Sequence, residues 1–64
     1  MKRFAVIRRL KDNKYCPYRL QDTNSAEMMI ACIINECGGT RVDYTIDFVT
    51  PEEYASLDIA DDLY

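Results

Sequence analysis

The sequence contains no histidine and no tryptophan, and only two glycines, two prolines and three cysteines among its 64 residues. Without histidine the chain lacks the side chain that most often serves as a base near neutral pH. Imidazole metal ligation and every histidine-based triad go with it. So little glycine and proline excludes a collagen-like or Pro/Gly-rich disordered chain. It also leaves no phosphate-cradling loop, because Gly38-Gly39-Thr40 has neither the lysine nor the length of a Walker motif. Serine is limited to Ser25 and Ser56, both in contexts that suit a helix cap or a helix surface.

Long hydrophobic runs are missing as well. The longest, Met28–Ile34, spans seven residues, far below the ~20 of a membrane-crossing helix. Arg8 and Arg9 cut the apolar run that follows Lys2-Arg3 to four residues, too few for a signal-peptide core. The three cysteines, Cys16, Cys32 and Cys37, are an odd number without a disulfide-framework spacing. On one helix Cys32 and Cys37 diverge by roughly 140°, which fits neither a redox pair nor a zinc knuckle. The expectation is a cytoplasmic chain without metal or cofactor, in which Cys37 is a small core residue. Cys16, beside Pro17, is the better candidate for exposure and oxidation.

Charge is unevenly distributed. Residues 1 to 20 carry Lys2, Arg3, Arg8, Arg9, Lys11, Lys14 and Arg19 against Asp12, a net +6. Residues 21 to 64 carry Arg41 against ten carboxylates, a net −9. Folding can interleave the two halves and cancel part of this asymmetry.

The elements follow from local pattern. Phe4–Leu10 alternates as a strand, with Phe4, Val6, Arg8 and Leu10 on one face and Ala5, Ile7 and Arg9 on the other. The polar tetrad Lys11-Asp12-Asn13-Lys14 suits a turn into a second strand, Tyr15–Leu20, which Pro17 confines to an edge or interrupts. Asn24 or Ser25 is expected to cap a helix, with Glu27 closing a capping box on Asn24. Ala26, Met29, Ile30, Ile33, Ile34 and Cys37 form a stripe over roughly 140° of that helix, which stops at Gly38-Gly39. Arg41–Val49 alternates as a third strand, with Val42, Tyr44, Ile46 and Phe48 toward the helix. Thr50-Pro51-Glu52-Glu53 announces a capped second helix. The architecture is one α+β domain over residues 1–64, ordered β-β-α-β-α, with a sheet of about three antiparallel strands and the main helix on one face. Residues 58–64 form an acidic tail, either docked or mobile.

Three residue sets are candidates for function. Tyr54, Leu57, Leu63 and Tyr64, among Asp58, Asp61 and Asp62, offer aromatic and apolar anchors in an acidic surround and suit a protein partner. Met28, Ala31 and Cys32 leave the helix apolar behind its stripe, a flank for the tail or a partner chain to cover, including a second copy in a symmetric dimer. Arg8, Arg9, Lys11, Lys14 and Arg19 with Tyr15 and Tyr18 combine phosphate-contacting charge with stacking surface, the basis of an alternative nucleic-acid-binding reading. The leading expectation is a non-catalytic protein-interaction module, a small regulator or inhibitor of a larger cytoplasmic protein.

Overall fold

The computed structural model describes residues Lys2 to Asp62. Strand β1 (Phe4–Arg9) lies at the centre of a three-stranded antiparallel sheet, between β2 (Lys14–Tyr15) and β3 (Tyr44–Val49). Helix α1 (Thr23–Cys37) packs on one face, and the short α2 (Pro51–Ala55) follows β3 directly. This is the α+β arrangement that the order of patterns implied, with β2 at an edge of the three strands and Pro17 just beyond its end.

Each element has a local cause. Arg9 and Lys14 close the hairpin, and Asn13 adopts φ 58°, a left-handed conformation that asparagine tolerates. Asp12 Oδ1 accepts the Lys14 N–H at 3.2 Å and tightens the turn. Pro17 then interrupts the second strand. Cys16 N–H still donates to Ile7 O (2.9 Å), and pairing resumes only at Leu20, which exchanges two 2.8 Å bonds with Ala5. Pro17, Tyr18 and Arg19 thus arch out opposite Val6 alone, a bulge where proline needs no ladder donor.

The cap of α1 is Asp22, not Asn24 or Ser25. Asp22 is extended (φ −152°), and its Oδ1 accepts the Ser25 N–H at 2.8 Å. Starting the helix earlier places Glu27 beyond the capping-box position and frees it for Arg41. The stripe packs as expected at Ala26, Ile30 and Ile33, which are buried with Ala5, Ile7, Cys16, Tyr44 and Ala60. Cys37, however, is exposed at the helix end.

The third strand begins later than its alternation suggested. Arg41–Asp43 forms a 3-10 turn in which Asp43 Oδ2 accepts the Thr40 N–H at 2.7 Å. Val42 therefore leaves the core face and is 79% exposed. Gly39 (φ 94°) approaches the same carboxylate so closely that a Cβ would lie 2.8 Å from Asp43 Oδ2. At the far end of β3 the capping box forms as read. Thr50 N–H donates to Glu53 Oε1 (2.8 Å), and Glu53 N–H donates to Thr50 Oγ1 (3.2 Å).

The segment after α2 extends the sheet on its β2 side. Tyr15 N–H donates to Asp58 O and Ala60 N–H to Tyr15 O, both at 2.8 Å, in a single parallel bridge between Tyr15 and Ile59. Ala60 and Cys16 are buried together in the core. Cys16 is thus shielded from solvent, against the expectation of exposure. Among the described residues no helix is long and apolar enough to cross a membrane.

Candidate interaction surface

The two arginines of β1 are engaged by carboxylates. Arg9 is only 9% exposed. Its Nε and Nη2 donate to the two oxygens of Asp12 (3.1 and 2.6 Å), and its Nη1 donates to Asp62 Oδ2 (3.1 Å). The guanidinium holds Asp12 down at about 2 and also lowers Asp62, because it bonds the ionised carboxylates. Arg8 Nε lies 3.1 Å from Asp47 Oδ2, off the hydrogen-bond direction, while Nη1 donates to Asn13 Oδ1. Tyr15 donates its hydroxyl to Asp47 Oδ2 at 3.1 Å, and Tyr18 packs against the core. Arg19 sits far from the turn, over the rings of Phe4 and Tyr54 (5.6 and 5.7 Å). Lys11 is exposed and Lys14 half-buried. The hairpin register sets Arg8 beside Tyr15 and Arg9 beside Lys14, while Arg19 stands at the other end of β1. The set is thus split between the two ends of the strand, and Asp47 and Asp62 from the acidic part of the sequence reach into its hairpin end.

The acidic anchor set is dispersed as well. Tyr54 meets Phe4 edge-on, with centroids 5.3 Å apart. Leu57 is half-buried, Asp58 is tied by its carbonyl to Tyr15, Asp61 is exposed, and Asp62 belongs to Arg9. Leu63 and Tyr64 lie outside the described residues. Through Asp62 the tail does not cover the outer flank of α1, because the backbone of Asp58 and Ala60 is committed to β2. Met28 is 72% exposed, and Ala31 and Cys32 are exposed beside it.

Two further features remain. A cleft of about 330 Å³, lined by Arg9, Lys11, Cys37, Tyr44 and Asp62 among others, opens where the end of α1 meets the sheet. Its most buried cation is already held by two carboxylates, and burial pushes the Tyr44 hydroxyl above its ordinary pKa. Among the described residues no group of three or more cysteines and carboxylates is placed to hold a metal ion.

The second feature is the outer edge of β3, and sequence reasoning passed over it. Leu10 N–H donates to Asp43 O at 2.9 Å. Because bonded and non-bonded pairs alternate along an antiparallel ladder, Thr45, Asp47 and Val49 aim their backbone groups at β1. Ala5 and Ile7 aim theirs at the other side, as their bonds with Leu20 and Cys16 require. Tyr44, Ile46 and Phe48 therefore direct N–H and C=O away from the sheet. Tyr44 is satisfied locally: its N–H bonds Arg41 O, and its carbonyl accepts Arg41 Nη1 at 2.7 Å. The same guanidinium grips Glu27 through two 2.7 Å bonds. Ile46 and Phe48 keep both of their groups unpaired among the described residues, and Phe48 is 49% exposed. The available signal was topological: placing strand one at the centre makes strand three the second edge.

Comparison with protein families, curated proteins and solved structures finds no match for this chain.

Proposed function

We propose that the chain is a non-catalytic protein-interaction module, a small regulator that docks on a larger cytoplasmic protein. The observation that carries this reading is the open edge of β3, where the backbone groups of Ile46 and Phe48 stand unpaired among the described residues, beside a half-exposed aromatic ring. Such an edge is a template for strand addition, in which main-chain bonds supply affinity and neighbouring side chains supply selectivity. Three free thiols fit a reducing compartment and support the cytoplasmic part of the proposal.

Affinity capture from the source cell with three baits tests it: wild type, Phe48→Pro and Glu36→Gln. Proline at 48 removes an outward donor and spares the bonds to β1, while Glu36 is an exposed α1 residue away from this edge. The expected result is a protein retained by wild type and Glu36→Gln and lost on Phe48→Pro, with circular dichroism confirming that all three fold. Identical capture by all three baits would remove the edge as the docking surface.

A further inference from the structure

We propose that the β3 edge receives an extended segment in antiparallel register, with an apolar–basic–apolar triplet set against Phe48, Asp47 and Ile46. The inference rests on the interaction-module reading and names the chemistry of the partner.

The backbone fixes the register. Two partner residues opposite Phe48 and Ile46 satisfy all four unpaired groups, and the residue between them falls opposite Asp47 in a non-bonded pair, where side chains approach closest. Longer pairing is blocked at both ends. Arg41 occupies the Tyr44 carbonyl, and Pro51 opens α2 just past Val49.

The faces fix the composition. The outer two partner side chains share the face of Ile46 and Phe48 and cover the exposed ring. The middle one shares the face of Asp47, whose side chain is 30% exposed. Both contacts of Asp47, from Arg8 and Tyr15, fall on Oδ2, and Oδ1 accepts from no group among the described residues. A lysine or arginine supplies the missing donor. A carboxylate there opposes a like charge. The flanks act in the same sense, since Arg41 is matched by Glu27 while Asp43 before β3 and Glu52 and Glu53 after it add negative charge.

A second copy of the chain fits poorly. The two-fold register that uses all four free groups sets Asp47 against its own copy at the closest position. The register centred on Ile46 requires the Tyr44 groups that Arg41 already holds.

The test is a titration of the full-length, isotope-labelled protein with cyclic hairpin peptides. These present valine-lysine-valine, valine-norleucine-valine or valine-glutamate-valine on an open strand, pre-organised to limit the entropy of ordering. The expected result is amide shifts centred on Ile46 and Phe48, with the lysine peptide binding at least about threefold tighter than the glutamate peptide. That preference should shrink at about 1 M salt and in Asp47→Asn, and binding should vanish in Phe48→Pro. Equal affinity for the three peptides, or shifts confined to another surface, would overturn the proposal. A dimer of the protein alone that Phe48→Pro abolishes would overturn it too. Edge-dependent capture of a cellular protein alongside equal peptide affinities would sink the triplet and leave the module reading standing.

Discussion

Arg9 donates to Asp62 at 3.1 Å across 53 positions of sequence, fastening the end of the chain to the hairpin that begins it. The contact explains why the acidic tail is architecture through Asp62. Asp58 and Ala60 are bonded to Tyr15, Ala60 is buried, and the carboxylate two residues on meets a cation that Asp12 has already oriented.

The two partners should not be equivalent on mutation. Asp62 is well exposed, so Asp62→Asn is expected to move the denaturation midpoint little, as for other solvent-screened surface ion pairs. Arg9→Ala also removes a side-chain stem packed under the turn and should cost about 1–3 kcal/mol. Deleting residues 58–64 removes Ala60 and both bonds to Tyr15, and should fall in the same larger range. Urea denaturation of the three variants gives the ranking. A truncated chain as stable as wild type would show that the tail is dispensable to the fold.

The thiols should separate into two classes. Cys32 and Cys37 are exposed and Cys16 is buried. In the native protein a thiol reagent should modify two cysteines rapidly and the third only with unfolding. Burial pushes Cys16 from its ordinary 9.0 up to about 11. An acid whose pKa is raised by folding adds stability below its unfolded value and loses it as pH climbs through the folded one. That contribution should therefore be complete below about pH 9 and fade between about pH 9 and 11. Replacing Cys16 by valine, which has no proton to lose, should flatten the alkaline limb of a stability–pH curve.

Some of this was legible in the sequence because its causes are local. Thr50 and Glu53 satisfy each other within one turn, so the capping box could be read from four letters. The stripe of α1 and the alternation of β3 are periodicities, and each positioned its element. Where several residues compete for one role, spacing does not decide. Asp22, Asn24 and Ser25 are all good caps, and the winner is the one whose earlier start releases Glu27 to Arg41. The burial of Cys16 was not legible, because Pro17 correctly marks an edge that Asp58–Ala60, distant in sequence, then covers. The candidate surface was hidden for a related reason. Alternation assigned Phe48 to the core face, but burial depends on what lies above that face, and half of the ring remains open.

Acid should destabilise the fold in a defined window. Folding lowers Asp12 and Asp62 through the Arg9 guanidinium, Glu27 through Arg41, and Asp22 and Glu53 through backbone N–H bonds at the helix starts. A carboxylate with a depressed pKa adds stability above its unfolded value and loses it as pH falls through the folded one. Stability should thus decline from about pH 4.5 toward about pH 2. Asp12, held at about 2, governs the lowest part of that range, so Asp12→Asn should flatten the curve there. Thermal melts at closely spaced pH values would expose the difference, and a wild-type profile level across this window would contradict the assigned ion pairs.

The open edge makes a residue-by-residue prediction for the free protein. Along β3 the amides of Thr45, Asp47 and Val49 are enclosed by β1, while those of Ile46 and Phe48 face solvent. Hydrogen exchange requires an amide to be released from its bond, so enclosed amides wait for an opening of the sheet and outward ones do not. Exchange should therefore alternate, slow at 45, 47 and 49 and fast at 46 and 48. The Tyr44 amide, bonded to the Arg41 carbonyl in the 3-10 turn, should fall between the two groups. Docking of a strand should then slow Ile46 and Phe48 selectively and leave the other three amides almost unchanged. Uniform protection along β3 in the free protein would mean that the outer edge is already paired, and the surface on which the functional reading rests would not exist.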